Sequence, residues 1–328
     1  MCLERRLRAE DKGRSAVELE KNVPLAPLCR LHVGGQADFL ARPGGVEELV
    51  GALEWARERH LPFFLMGGGS NLFCHDRGFR GLVIRLSSSR VEVDRERLRV
   101  RAEAGVRLSS LVVRPARQGL GGLEFLANIP GTVGGAVAGN AGCYGKSVAG
   151  FLAGARLLDA RTLQVLDVSP SFLGFRYRHS LLSESPRWIL LEAVFRLVPR
   201  ERDIILREVR ADLGLRLSKH PHREKCAGSF FKNPPEMPAW KAITRAGLAG
   251  ARVGDAALSP KHANFLVNLG KARSSDILEL VRRIRAKVRE RLGILLEPEV
   301  RYVGPHGIEE MGGDPEEYTF LPPPSPGG

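Results

Sequence analysis

The chain contains two glycine-rich segments whose composition suits close contact with phosphate groups. The first, residues 67–71 (GGGSN), follows the apolar run 61–66, which has the pattern of a buried strand. Glycine lets the backbone approach an anion closely, and successive N–H groups can form an anion nest. The segment matches neither GxGxxG nor GxxxxGK[ST], so it supports neither a Rossmann dinucleotide site nor a P-loop. A tight surface turn is the alternative interpretation.

The second segment, residues 129–142 (IPGTVGGAVAGNAG), is built from small residues and carries no charge. A flexible linker would be polar, so this composition indicates backbone packed closely against something flat or anionic. The two segments lie about 60 residues apart. Their chemistry suits an extended dinucleotide that is held by two loops.

The net charge narrows the classes of partner. Against 37 Asp+Glu the chain has 50 Lys+Arg, of which 40 are Arg, giving +13 over 328 residues. Such a charge favours nucleic acid, a membrane surface or phosphorylated small molecules. An Arg-rich codon preference is the alternative explanation. The densest basic stretch, 282–291, alternates with apolar residues as a solvated helix face does, and aromatic residues make up only 6%. We therefore expect no nucleic-acid partner.

The spacing of the cysteines and the hydropathy of the chain argue against a disulfide-stabilised, metal-binding or membrane protein. The five cysteines are widely spaced and form no CxxC pair, so neither a disulfide framework nor a metal site is expected. The first twenty residues are highly charged, and no apolar run reaches the length of a transmembrane helix. We expect a cytoplasmic protein that does not associate with membranes.

Periodicity predicts the elements that position these segments. The predicted strands cover 61–66, 82–86, 91–100, 251–253, 265–268 and 294–303, and the predicted helices cover 46–60, 203–217 and 276–292. Asp276 is predicted to cap the last helix and Gly293 to stop it. Pro115 should end or kink another helix.

Several short segments, taken in chain order, carry a resemblance to a known family. They are residues 33–38, 67–72, 122–126, 129–135, 140–145, 177–180, 227–234, 261–268 and 296–301. Each alone is weak, but the ordered set spans about residues 22–303 and is specific. The chain resembles the UDP-N-acetylenolpyruvoylglucosamine reductase family, FAD enzymes of peptidoglycan precursor synthesis. It is similar to the shorter subclass that lacks a tyrosine-bearing insertion in the substrate domain.

The resemblance implies an α+β fold. A two-subdomain FAD-binding module of the vanillyl-alcohol-oxidase/PCMH type would precede a smaller α+β substrate-binding domain. The expected boundaries are a charged N-terminal extension at 1–21, FAD-binding subdomains at 22–86 and 87–200, a substrate-binding domain at 201–303 and a disordered tail at 304–328.

The resemblance also implies the activity. In the family, NADPH reduces non-covalently bound FAD, and the enolpyruvyl group of a UDP-sugar is then reduced to give UDP-N-acetylmuramate. The expected partners are these small molecules, and the expected state is a monomer. A PCMH-type flavin oxidase or dehydrogenase with another substrate is the alternative. Segments 227–234 and 296–300 favour the reductase because they lie outside the FAD module.

Three residues match the family's catalytic motifs. Arg178 would stabilise charge on the substrate carboxylate, since its planar fork suits a carboxylate. Ser229 would donate a proton, and Glu299 would lie at the carboxylate end of the substrate. Outside these motifs, a surface arginine, a turn serine and a solvated acid are the alternative interpretations.

The remaining site residues also follow from the resemblance. The residues assigned to FAD are Gly67, Gly68, Gly69, Ser70, Asn71, Leu72, Glu124, Ile129, Pro130, Gly131, Thr132, Gly134, Gly135, Asn140, Ala141 and Gly142. Tyr177, Lys219, Lys232 and Asn233 are assigned to the substrate, although Lys219 could equally be a solvated lysine. Cys74 and His75 are expected to be structural.

Overall fold

The structure, a computed structural model, describes residues 6–9, 17–221 and 223–311, and of residues 6–9 it describes the backbone alone. The remainder of the predicted N-terminal extension and residues 312–328 of the predicted tail lie outside the described residues. No helix within the described ranges is long and apolar enough to cross a bilayer.

The first unit is a five-stranded sheet with one helix. Its elements are β1 (Arg6–Ala9), β2 (Val17–Pro24), β3 (Gln36–Ala41), α1 (Val46–Glu58), β4 (Phe63–Leu65), β5 (Leu72–Cys74) and β6 (Phe79–Ile84). The strand order is β1-β2-β3-β6-β4, in which β3, β6 and β4 are parallel. The predicted boundary between residues 21 and 22 falls inside β2, because Val17 and Leu19 are buried and alternate with charged residues on the other face.

The second unit is an antiparallel sheet covered by short helices. Its elements are β7 (Val91–Asp94), β8 (Arg99–Glu103), α2 (Leu108–Ala116), β9 (Leu120–Gly121), α3 (Val133–Ala138), β10 (Gly142–Cys143), β11 (Lys146–Ser147), α4 (Val148–Phe151), β12 (Leu152–Asp159), β13 (Val165–Val168), α5 (Leu181–Glu184), β14 (Trp188–Arg196) and β15 (Val198–Pro199). The strand order is β13-β12-β14-β8-β7. Pro115 is the penultimate residue of α2, as the sequence predicts for a helix that ends there.

The third unit carries a four-stranded antiparallel sheet. Its elements are α6 (Arg202–Lys219), β16 (Lys225–Ser229), α7 (Ala239–Arg245), β17 (Arg252–Val253), β18 (Ala256–Leu258), β19 (Phe265–Asn268), α8 (Ser274–Leu292), β20 (Arg301–Val303) and β21 (Ile308–Glu309). The sheet order is β16-β19-β18-β17. Strand β20 leaves this unit and pairs in parallel with β5 of the first unit. Residues 301–303 therefore lie beside the strand that follows the first glycine segment.

Most predicted elements are confirmed, with four corrections. The predicted strand 91–100 is two strands, β7 and β8, which pair antiparallel because residues 95–98 form a turn between them. Asp276 is not the cap of α8: Arg273 is the N-cap, and Asp276 Oδ2 accepts the Arg273 N–H at 2.9 Å from inside the first turn. The predicted final strand, 294–303, shortens to β20. The predicted tail is ordered from 304 to 311, because β21 pairs with β20 and the Arg80 N–H donates to Pro305 O at 2.6 Å.

Candidate active site

A cleft of about 4040 Å³ lies where the three units meet. Pockets for small ligands usually measure about 300–1,000 Å³, so this cleft has room for more than one large ligand. Residues 67–72 and 129–132 line it, and so do the side chains of Arg178, Ser229 and Glu299. The structure therefore brings both glycine segments and all three predicted catalytic residues to one cavity.

The two glycine segments pack directly against each other. Ser70 Oγ donates a hydrogen bond to Pro130 O at 2.8 Å. A Cβ atom added to Gly67 would lie 2.9 Å from Thr132 Oγ1, and one added to Gly68 would lie 3.0 Å from a main-chain atom of the second segment. Larger residues would force the segments apart, which explains their composition.

The backbone of the first segment suits an anionic ligand. The hydrogen bonds found among the described residues include none donated by the N–H groups of Gly67, Gly68 or Gly69. The carbonyl of Gly69, in contrast, accepts the Arg30 N–H at 2.8 Å. Buried or half-buried N–H groups require an acceptor, and a diphosphate supplies one. These residues therefore fit an FAD diphosphate.

Ser229 ends strand β16 beyond a bulge in its pairing with β19. Gly228, with φ of 87°, provides the backbone conformation that this bulge requires. The next two residues are fixed by the buried side chain of Asn264. Its Oδ1 accepts the Phe231 N–H at 2.9 Å, its Nδ2 donates to Phe231 O at 2.8 Å, and its carbonyl accepts the Phe230 N–H at 2.7 Å. Asn264 thus orients the backbone next to Ser229.

Sequence reasoning missed this role of Asn264. Asn264 directly precedes the apolar residues 265–267 of β19, and nothing in this local pattern predicts which backbone groups its buried side chain binds.

Glu299 is held by the neighbouring backbone on two sides. Its N–H donates to Phe230 O at 2.8 Å, and its carbonyl accepts from Asn71 Nδ2 at 3.0 Å. Its Oε1 lies 3.1 Å from Arg178 Nε, and both side chains are largely buried. Burial raises the pKa of the Glu299 carboxyl, and the positive charge of Arg178 opposes that rise.

Arg178 reaches the cleft from a tight turn. Its φ of 55° lies in the left-handed region, which costs a non-glycine residue about 1–2 kcal/mol. The turn is closed by reciprocal backbone hydrogen bonds between Arg176 and His179, both of 3.1 Å. Asn140 Nδ2 anchors it by donating to Arg176 O at 2.9 Å. The strained backbone aims the guanidinium at Glu299.

Two residues assigned to FAD are used elsewhere. The buried carboxylate of Glu124 accepts from the Gly122 N–H at 2.9 and 3.0 Å and pairs with Arg200 at 3.0 Å. Asn140, besides anchoring the Arg178 turn, accepts from the Ala149 N–H at 3.1 Å. Neither residue lines the described cleft, so their side chains order the loops around it. Their contact with FAD stays a prediction.

The four residues assigned to substrate lie outside the lining of the described cleft. Tyr177 and Asn233 are neighbours, since Tyr177 Oη accepts the Asn233 N–H at 3.4 Å. Lys232 Nζ pairs with Glu297 at 3.1 Å, and Lys219 is the exposed last residue of α6.

The cleft also contains basic residues that sequence reasoning did not single out. Arg301 lines it and donates from Nη2 to Ser183 O, and burial lowers its pKa. Arg216, on α6, lines it too, and burial likewise lowers its pKa. Both add positive charge to a cleft that suits anionic ligands.

Comparison with known proteins agrees with this geometry. Residues 37–165 match the family model of an FAD-binding domain, and residues 220–303 match that of the UDP-N-acetylenolpyruvoylglucosamine reductase C-terminal domain. The chain is 43% identical over 281 residues to UDP-N-acetylenolpyruvoylglucosamine reductase of Rubrobacter xylanophilus, covering 86% of this chain and 94% of that one. The enzyme of Syntrophus aciditrophicus is 41% identical over 288 residues, covering 87% and 91%.

A solved structure shows the same likeness. The UDP-N-acetylenolpyruvylglucosamine reductase of Thermus caldophilus superposes with a TM-score of 0.72 at 38% identity, covering 87% of this chain and 98% of that one. The predicted fold class, an FAD-binding module of two α+β parts followed by a smaller α+β domain, is confirmed. Because relatives above 40% identity cover most of its length, the chain belongs to the UDP-N-acetylenolpyruvoylglucosamine reductase family.

Proposed function

We propose that Arg178, Ser229 and Glu299 form the catalytic centre of this reductase. The chain is an FAD-dependent oxidoreductase that uses NADPH to reduce the enolpyruvyl group of UDP-N-acetylglucosamine enolpyruvate, giving UDP-N-acetylmuramate. One observation carries the assignment of residues. Glu299 lies 3.1 Å from Arg178 and donates its backbone N–H to the carbonyl of Phe230, the residue that follows Ser229.

The residue types suit the reaction. The backbone of residues 67–72 and 129–135 would hold FAD, which would supply hydride chemistry between NADPH and the methylene carbon of the substrate. Negative charge then develops on the α carbon and its carboxylate, and the Arg178 guanidinium stabilises that charge. The Ser229 hydroxyl donates a proton to the α carbon. Glu299 orients the guanidinium through the ion pair.

The cofactor and substrate contacts are part of the same proposal. The backbone of residues 67–72 and 129–135 binds the FAD diphosphate, supported by the close packing of the two segments. Tyr177, Lys219, Lys232 and Asn233 contact the substrate from the rim of the cleft. Glu124 and Asn140 act on FAD by ordering the second segment, together with Ala141 and Gly142.

The proposal also covers the domain boundaries, the oligomeric state and the cellular location of the protein. The FAD-binding parts span 22–86 and 87–200 with the first sheet beginning earlier, and the substrate-binding part spans 201–303. The protein acts as a monomer, because one chain brings every proposed catalytic residue to one cleft. It works in the cytoplasm, where NADPH and nucleotide sugars are found.

The test is Ser229→Ala, with each half-reaction measured separately by rapid mixing. Flavin reduction by NADPH should stay close to the parent rate. Reoxidation of the reduced flavin by the enolpyruvyl substrate should slow by about 100-fold, the usual contribution of a positioned acid. Ser169→Ala is the matched control, since that serine is exposed and its side chain forms a hydrogen bond only with Ser171 among the described residues.

If Ser229→Ala slowed both half-reactions equally, the result would contradict the role of Ser229 as the proton donor. The alternative, an oxidase of the same FAD-binding type acting on another substrate, is disfavoured by the match of residues 220–303.

A further inference from the structure

Asn71 joins the first glycine segment to the backbone that carries Glu299. Its side-chain Nδ2 donates to Glu299 O at 3.0 Å, and its own carbonyl accepts the Arg301 N–H at 3.0 Å. One residue therefore holds the extended stretch 299–301 by a hydrogen bond on each side of Val300. Strands β5 and β20 continue this contact as a parallel pair that starts at Leu72 and Arg301.

The contact decides which way the catalytic stretch faces. Side chains alternate along extended backbone. Val300 is buried in the core of the third unit, whereas Glu299 and Arg301 on either side of it line the cleft. A shift of this stretch by one residue would exchange the two sets, so the hydrogen bonds of Asn71 fix its register.

We propose that Asn71 is a positioning residue that fixes the Glu299 carboxyl relative to the flavin-binding segment. Its side-chain Nδ2 makes this contact, while its backbone belongs to the segment proposed to bind FAD. The inference rests on the proposed role of Glu299.

Asn71 acts at a point where a small displacement matters. On the opposite side, the Glu299 N–H donates to Phe230 O at 2.8 Å. Without the Asn71 amide, the carbonyl of Glu299 loses its side-chain donor, and the stretch can move toward the open cleft. The 3.1 Å separation of Glu299 Oε1 from Arg178 Nε would then lengthen. Misplacement of a catalytic group by about 1 Å can slow a reaction by about 100-fold.

The experiment is a double-mutant cycle on the isolated reoxidation half-reaction, with UDP-N-acetylglucosamine enolpyruvate as oxidant of the reduced holoenzyme. Asn71→Ala should slow reoxidation by about 10- to 100-fold, mainly in the limiting rate rather than in the apparent substrate affinity. In a Glu299→Ala background, the same substitution should slow it by less than about twofold, because its effect passes through Glu299. Asn71→Gln, which keeps a donor amide, should recover part of the rate.

Flavin content provides the second readout. Asn71→Ala should retain FAD at parent stoichiometry, measured by absorbance, because the backbone N–H groups of the segment remain. Equal slowing in the two backgrounds, or loss of FAD in step with activity, would overturn the positioning role. If Glu299→Ala alone left reoxidation unchanged, the proposed role of Glu299 would fail instead, so the two failures are distinguishable.

Discussion

Removing the guanidinium of Arg178 tests how the charge in the cleft works. At 3.1 Å, the Arg178–Glu299 pair has a Coulomb attraction of about 5 kcal/mol at an effective dielectric constant near 20, before the cost of desolvation. The side chains are only 24% and 21% exposed, so solvent screens this attraction incompletely. In Arg178→Ala the Glu299 carboxyl would lose its cation but keep its burial.

Two consequences follow for the reaction. The developing charge on the substrate carboxylate loses its donor, which costs roughly 100- to 1,000-fold in enzymes that lose one such group. The pKa of Glu299, already raised by burial, rises further because Arg178 no longer opposes the effect. The midpoint pH at which the reoxidation rate changes should therefore be higher in Arg178→Ala than in the parent enzyme.

The assay is stopped-flow reoxidation of the reduced enzyme between pH 5 and 9. We expect flavin reduction by NADPH to stay within about threefold of the parent rate, since Arg178 stabilises only the second half-reaction. Arg178→Lys keeps the charge without the planar fork and should recover part of the rate. Arg176→Ala is the matched control, because that exposed arginine belongs to the same turn as Arg178 but pairs with Glu184 of α5. Slowing of less than about tenfold in Arg178→Ala, or equal slowing of both half-reactions, would refute the reasoning.

Three further predictions follow from the geometry. Gly69→Ala should release FAD and lower the melting temperature, because Gly69 has a φ of 64° and the added Cβ would overlap Leu28 O. The control Gly150→Ala should do neither, because the added Cβ would meet no atom within 4 Å. Burial and then the charge of Arg216 lower the pKa of His220 to about 4. The unfolded chain therefore binds the extra proton first, and stability should fall as pH drops from about 6.5 to about 4. Denaturant titration should find a smaller slope in His220→Phe, where the half-buried His262, whose pKa is also lowered, still contributes. Arg178→Gly should be more stable to denaturant than Arg178→Ala by about 1 kcal/mol, because glycine adopts the left-handed turn freely, and equal stabilities would contradict strain at this residue.

Local patterns were enough to predict several elements. The apolar spacing of 46–60 and the stop at Gly293 gave α1 and the end of α8, since both depend on neighbouring residues along one helix. The motif order also gave the three proposed catalytic residues, which the structure brings to one cleft.

The parts that were missed depend on contacts distant in sequence. The pairing of β20 with β5 joins residues more than 200 positions apart, and no local pattern in either strand specifies it. In the sequence, residues 17–20 resemble the charged extension that precedes them. They are recognised as a strand only from the burial of Val17 and Leu19 in the structure. Asn264 and Asn71 act through backbone atoms of distant residues, so their residue type alone could not reveal their roles.

The most direct test of the central claim is the NADPH consumption of the purified protein with and without UDP-N-acetylglucosamine enolpyruvate, followed by mass spectrometry of the product. The account predicts a yellow protein with bound FAD that consumes one NADPH for each substrate reduced, and a product two hydrogen atoms heavier than the substrate. When the reaction runs in deuterated water, the α carbon of that product should carry deuterium, because its proton comes from an exchangeable hydroxyl. A colourless protein that cannot take up FAD, or NADPH oxidation that leaves the substrate unchanged, would contradict it.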